Sequence, residues 1–178
     1  MFEIHYSALF VAITLLWCIS RACRARKTRR IDWKRELQLL LVYVCIVVIA
    51  RFTFFPFSKV DGQIQPLIFD PALTWPFRIN LLPFIYMGDY ETKREIILNF
   101  AGNTLMFLPV GMVFPAVYKS LDTHRKALCA GFAASLAIEI LQLPFFDRVS
   151  DIDNLILNTL GYAMGYGIWL AVQKRKTR

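Results

Sequence analysis

Glu139 and Gln142 lie in ALCAGFAASLAIEILQLPFF, residues 127–146, an otherwise apolar or small-residue run long enough to cross a bilayer. A carboxyl group at the centre of a membrane helix costs about 2.5–3.5 kcal/mol on insertion scales, so it turns toward protein, water or a ligand. The spacing of three puts Glu139 and Gln142 on one helix face. Asn99 and Asn103 are four apart, as are Asn154 and Asn158, so each pair also forms a stripe. Asp151 and Asp153 precede the second stripe, and Arg51 and Arg148 are the nearby cations. Such a set can do one of three things. Arg51 or Arg148 can pair with Glu139, Asn103 or Asn158 can hydrogen-bond it across helices, or the whole cluster can face a ligand. The plainer alternative is interhelical glue, each hydrogen bond contributing about 0.6 kcal/mol. Arg51, close to a helix end, could equally snorkel to the interface.

The elements that must position these groups are membrane helices. Of the 178 residues, 57% are hydrophobic and 15% aromatic, and the mean hydropathy is +0.46. That composition points to an integral membrane protein. A span needs about 20 mostly apolar residues. Five windows qualify, roughly 3–20, 37–57, 96–117, 127–146 and 152–173. The expected fold is all-α, a polytopic helical bundle of about five transmembrane helices.

The net charge of +8 is clustered beside the helix ends. Arg21, Arg24, Arg26, Lys27, Arg29, Arg30, Lys34 and Arg35 fill the first loop. Lys119, Arg125 and Lys126 fill the third, and Lys174, Arg175, Lys176 and Arg178 the tail. The alternate loops carry only Lys59, Arg78, Lys93, Arg94 and Arg148. Positive charge on one side places the N-terminus outside and the C-terminus in the cytoplasm. The polar residues from four segments then converge on the outer leaflet. No basic face on a soluble fold is offered, which excludes a nucleic-acid partner. MFEIHYS lacks a positive n-region, so an uncleaved N-out helix is expected rather than a signal peptide. Cys18, Cys23, Cys45 and Cys129 map to membrane or cytoplasmic positions, where no structural disulfide is expected. His5 and His124 fall on opposite sides, and no Cys or His pair has ligand spacing. Neither a metal nor a cofactor is expected.

Pro109 removes a backbone donor from the third span and is expected to bend it, with Gly111 relieving the crowding. Gly161 and Gly165 form a GxxxG arrangement suited to close helix packing, within the chain or in a homodimer. The outer loop near 58–95 is rich in proline and aromatics. Trp75, Phe77, Phe84 and Tyr86 suit a segment lying in the headgroup region or re-entering it over the polar cluster, or an ordinary aromatic belt. The basic loop ACRARKTRRIDWKR could attract anionic lipid headgroups, or act only as the topology signal.

NLLPF at 80–84, NFAGNTLMFLPVG at 99–111, IEILQ at 138–142 and RVSDIDNLILNTLG at 148–161 together resemble the VanZ-like family of small bacterial membrane proteins. The resemblance covers roughly residues 75–170. Asn103, Phe107, Pro109, Gly111, Glu139, Gln142, Asp151, Asn158 and Gly161 fall on the family's pattern positions, and Asn80 opens the first fragment. Asn154 departs from the pattern, that place being commonly Asp, although Asp153 is adjacent. The resemblance implies two regions. Residues 1–36 form an extra N-terminal helix and basic cytoplasmic loop. Residues 37–178 form a VanZ-like four-helix membrane domain in the bacterial cytoplasmic membrane.

The resemblance also implies a role in the cell envelope, the founding member being associated with low-level resistance to teicoplanin, a lipid-tailed glycopeptide. The leading expectation is a module that binds an amphipathic envelope ligand, a lipoglycopeptide or a lipid-linked wall precursor, at an outer-leaflet polar site. That site comprises Asn80, Asn99, Asn103, Glu139, Gln142, Arg148, Asp151, Asn154 and Asn158, with membrane lipids as further partners. The alternatives are a small transporter or flippase with Glu139 as coupling acid, an enzyme on a lipid-linked substrate, or a non-catalytic assembly protein. No Ser/His, Cys/His or metal set is visible on the outer face, and no residue is assigned a catalytic role.

Overall fold

The computed structural model describes residues 2–28, 31–55, 60, 62–70, 75–85 and 92–176. Arg29, Arg30, Lys59, Tyr86 and Arg178, which enter the charge and aromatic arguments above, lie outside the described residues.

Five long helices carry the fold: α1 (Tyr6–Thr28), α2 (Trp33–Phe54), α3 (Lys93–Val117), α4 (His124–Gln142) and α5 (Ile152–Lys176). Three of them begin where the sequence places a capping side chain. Asp32 accepts from the Arg35 N–H at 3.2 Å, Thr92 from Glu95 at 3.3 Å and Thr123 from Lys126 at 3.3 Å. The third helix continues through Pro109 and Pro115 without interruption.

Helices α1 and α4 end away from their hydropathy windows for local reasons. Helix α1 starts at Tyr6 because Phe2–Ile4 form a strand, β1, and it runs on to Thr28 through an arginine- and alanine-rich stretch of good helix formers. Helix α4 stops at Gln142, before Pro144, and the chain turns rather than continuing to Phe146.

Four helices, α1, α2, α3 and α5, are long and apolar enough to cross a membrane. Helix α4 is shorter, at 19 residues, and is inverted relative to a soluble helix. Its buried stripe reads Ala127, Gly131, Ser135, Ile138, Glu139 and Gln142, while Leu128, Phe132, Leu136, Ile140 and Leu141 are exposed. Large apolar side chains cover the outside of the other helices too, Leu16, Leu37, Ile97 and Leu105 among them. An exterior this apolar is stable against lipid and not against water. The molecule is an all-α membrane bundle.

Helices α3 and α5 form its tightest pair. A Cβ on Gly111 would lie 2.0 Å from the Tyr162 carbonyl oxygen, one on Gly161 2.0 Å from that of Thr104, and one on Gly165 2.0 Å from that of Leu108. The GxxxG arrangement is therefore used within the chain, where the two backbones touch. Helix α4 joins the pair by laying Gly131 on the Tyr162 ring, and Phe107, Val110, Ala127, Ile138 and Tyr162 close the core. Helix α2 packs on α3, with Cys45 in the same core.

Helix α1 contributes no buried residue and sits on the outside of α2. It is held there by the two-pronged Arg21–Glu36 pair, at 2.8 and 2.6 Å, and by a 2.8 Å hydrogen bond between the Thr14 and Tyr43 hydroxyls. At that same end Arg35 caps α3 by donating to the Val117 carbonyl, and His124 and the Tyr166 hydroxyl share a 2.9 Å hydrogen bond.

The opposite end is closed by two small ribbons. Strand β1 pairs antiparallel with β2 (Leu67–Phe69), and β3 (Ile79–Asn80) pairs parallel with β4 (Ser150–Asp151). The described part of the long loop is thereby stitched to the turn after α4, through Phe146 N–H to Ile68 O and Ser150 N–H to Arg78 O, both at 3.0 Å.

A polar pocket at one end of the bundle

Four helix ends meet beneath the ribbons. The end of α2 brings Phe52 and Thr53, and the N-terminal half of α3 brings Asn99 and Asn103. The last turn of α4 brings Glu139 and Gln142, the following turn Asp147, Arg148 and Val149, and the first turns of α5 Asn154 and Asn158. Together they line a cavity of about 200 Å³. Beside it, between α2 and α3, opens an apolar groove of about 630 Å³ walled by Val48, Leu98, Leu105 and Met106. Phe52, Asn99 and Asn103 border both spaces, so the groove and the cavity are contiguous.

Glu139 is buried, 3% exposed. Its partner is none of the four side chains that the sequence offers. Carboxylate Oε2 accepts the backbone N–H of Asp151 at 2.7 Å. Among the described residues no ion pair joins Glu139 to an arginine. Arg51 lies at the end of α2, donating to the Phe55 carbonyl at 3.4 Å and lying over the rings of Tyr6 and Phe52. Asn103 donates to Asn154 Oδ1 at 2.9 Å and to Asn99 Oδ1 at 3.2 Å, and Asn158 donates to the Ser135 hydroxyl at 3.1 Å. Gln142 reaches across to α2 and donates to the Thr53 carbonyl at 2.7 Å.

Asn80 and Asp151 lie outside the cavity lining and act as its clasp. Asn80 Nδ2 donates to Asp151 Oδ1 at 3.0 Å, and that oxygen also accepts the Asp153 N–H at 2.9 Å. A continuous run of hydrogen bonds thus leads from the long loop before α3, through β4, to the carboxylate of Glu139. Burial pushes the Asp151 carboxyl above the usual range and the Asp153 charge adds to this, while the hydrogen bonds from the Asp153 N–H and Asn80 work against it. For Arg148, burial pulls the guanidinium below its ordinary value, opposed by the neighbouring Asp147.

Asn154 stands in the pocket, where its oxygen serves Asn103. The adjacent acid does not replace it. Asp153 faces the loop before α3 and accepts the Phe84 N–H with both oxygens, at 3.0 and 3.1 Å. That grip holds Phe84 at φ 60°, a left-handed conformation unusual for an aromatic residue.

Three polar atoms among the pocket's side chains are buried without a hydrogen-bond partner: Gln142 Oε1, Asn158 Oδ1 and Arg148 Nε. Buried polar atoms are normally paired, so these three keep hydrogen-bonding capacity to spare. Two contributors escape a reading of the sequence alone. Ser135 was legible in principle, since it lies four residues before Glu139 and seven before Gln142 on the same face. The Thr53 carbonyl was not, because a backbone acceptor has no residue signature.

An apolar exterior around a polar pocket defines this chain as a helical membrane protein with a cluster of polar side chains at one end of its bundle. The model of the family described as VanZ/LLP1 matches residues 40–173, and the chain belongs to that family. The matched region takes in α3, α4 and both ribbon strands β3 and β4, and leaves α1 outside. The chain is also similar to Protein VanZ of Enterococcus faecium, 30% identical over 91 residues, which cover 51% of this chain and 52% of that relative. The match therefore spans about half the length of the curated relative. No solved structure matches the chain.

Proposed function

We propose that this is a multi-pass protein of the bacterial cytoplasmic membrane, N-terminus outside, that holds the polar head of an amphipathic envelope ligand at the outer leaflet. In doing so it gives low-level protection against lipoglycopeptides such as teicoplanin. The observation that carries this reading is the contiguity of a polar cavity with an apolar groove across Phe52, Asn99 and Asn103. A head and a tail of opposite polarity are accommodated side by side. Lipoglycopeptides and lipid-linked wall precursors both have that build. The orientation that supports it comes from the basic helix ends lying opposite the pocket, at the end where Arg21, Arg35 and His124 make their contacts.

The test is teicoplanin and vancomycin susceptibility in a deletion strain complemented with wild-type or Glu139→Gln protein, at membrane levels equalised by blot. Vancomycin lacks the lipid tail and serves as the control. Wild type is expected to protect against teicoplanin alone, and Glu139→Gln to lose that protection at equal abundance. Equal protection by the variant would leave Glu139 as a structural residue and remove the pocket from the function.

A further inference from the structure

The buried atoms left without a partner in the pocket are mostly acceptors. Gln142 is 5% exposed and Asn158 1%, and each donates one amide N–H inside the protein, to the Thr53 carbonyl and the Ser135 hydroxyl. On both, a buried oxygen is left without a partner, hence a free acceptor. Glu139, also lining the cavity, adds a carboxylate. On the same wall Arg148 keeps its buried Nε–H unpaired, a donor with positive charge. Asp147, the other acid of the lining, is exposed, so solvent screens it. The pocket thus presents three acceptors with negative charge beside one cationic donor. Its complement is a head with N–H donors and positive charge next to an anion.

Size narrows the class further. About 200 Å³ is below the roughly 300–1,000 Å³ typical of pockets for drug-sized molecules, so the cavity itself takes one small polar group of a larger ligand. The groove, in contrast, has room for an alkyl chain, and a Cβ on Gly102 at its wall would meet nothing within 4 Å.

We propose that the occupant is a phospholipid with a primary ammonium head. The ammonium donates to Gln142, Asn158 and Glu139, the phosphate faces Arg148, and one acyl chain lies in the groove beside Phe52, Leu105 and Met106. This rests on the reading of the cavity as the site for the polar head of an amphipathic ligand and names the chemistry of that head. A primary ammonium has three N–H donors for three acceptors. Its charge offsets Glu139 as the phosphate offsets Arg148, so no net charge is left buried. Two near relatives fail on one count each. A choline head has the charge but no N–H, and a glycerol head has donors but no charge.

The experiment is native mass spectrometry of the delipidated full chain in detergent. The probes are phosphatidylethanolamine, phosphatidylcholine and phosphatidylglycerol of matched chains, with soluble phosphoethanolamine as competitor. Phosphatidylethanolamine is expected to be retained about tenfold over phosphatidylcholine, the discrimination typical of buried acceptors left unpaired. Soluble phosphoethanolamine, lacking a chain, is expected not to displace it at equal concentration. If it does, the pocket serves a free headgroup and the lipid assignment falls. Glu139→Gln should weaken the ethanolamine and choline lipids alike relative to the glycerol lipid, because both heads lose the same counter-charge. Arg148→Gln should weaken all three lipids, and Gly102→Phe should block the groove for all three while leaving the polar pocket intact. Each variant is compared only where its melting temperature in detergent matches wild type, and Gly102→Phe, at an open position, guards against loss of fold at the buried sites.

Equal retention of the ethanolamine and choline lipids, or preference for the glycerol lipid, overturns the proposal. If teicoplanin or a lipid-linked wall precursor is retained and lost in Gly102→Phe while phosphatidylethanolamine is not, the ligand site stands and this inference falls. If no probe is retained, both fall.

Discussion

Asp151 connects the loop before α3 to the acid in the pocket, and its own carboxyl group is held at a cost. Burial raises its affinity for a proton in the folded state. A carboxyl whose folded value is raised binds more protons folded than unfolded, so stability falls as pH rises from the ordinary carboxylate range through the folded value. Asp151→Asn keeps an oxygen to accept from Asn80 and the Asp153 N–H and removes the charge. It is expected to be at least as stable as wild type at neutral pH, and to flatten the loss of stability between mildly acidic and neutral pH. Unfolding followed across that interval checks both; a variant less stable at neutral pH, with the slope unchanged, would show that the charge itself holds the clasp. The polar cluster was legible in the sequence, since Glu139 and Gln142, Asn99 and Asn103, and Asn154 and Asn158 share faces by spacing alone. The pairing was not. Arg51, Arg148, Asn103 and Asn158 were the candidates for Glu139, and the group that binds it is the backbone N–H of Asp151, 12 residues on. Side-chain identity says nothing about which backbone donor a turn will present.

Helix positions were mostly legible because apolar length marks them locally, although α1 runs on to Thr28, well past the end of its window. The ribbons were not, since β3 and β4 pair only two residues each, at positions 71 apart, too short for any alternation to register. The GxxxG arrangement signalled a close approach, but it could not choose between a second copy and α3. With the partner known, the cost is assignable. A methyl group on Gly161 would meet the Thr104 carbonyl at 2.0 Å, a backbone atom that only separation of α3 and α5 can move. Gly161→Ala is therefore expected to destabilise the protein by about 1–3 kcal/mol or more, the range for overpacking. Gly102→Ala and Gly167→Ala, with open space around them, should be neutral or stabilising by up to about 1 kcal/mol from helix propensity. Denaturation in mixed detergent micelles measures all three, and a Gly161→Ala variant as stable as Gly102→Ala would mean that the pair is looser than these distances.

The molecule as a whole has two unlike ends, and the membrane must read the difference. The pocket, the ribbons and Trp75 lie at one end; Arg24, Arg26, Lys34, Arg125, Lys126 and Lys174 flank the helix ends at the other. Lysine and arginine in short loops are retained in the cytoplasm, so the pocket end is expected outside. Two thiols in one chain give the test. Cys23, exposed near the basic end of α1, is expected to react with an impermeant maleimide only after the cells are opened. Trp75→Cys, at a position 73% exposed, is expected to react in intact cells. The reverse pattern would put the pocket on the cytoplasmic leaflet, where neither glycopeptides nor exposed wall precursors are found. The envelope role would then fail even if the pocket bound lipid as its chemistry requires, because lipid selectivity depends on the cavity alone while protection depends on the leaflet it faces. Orientation and ligand are thus separable, and the labelling result decides which of them the antibiotic phenotype can report.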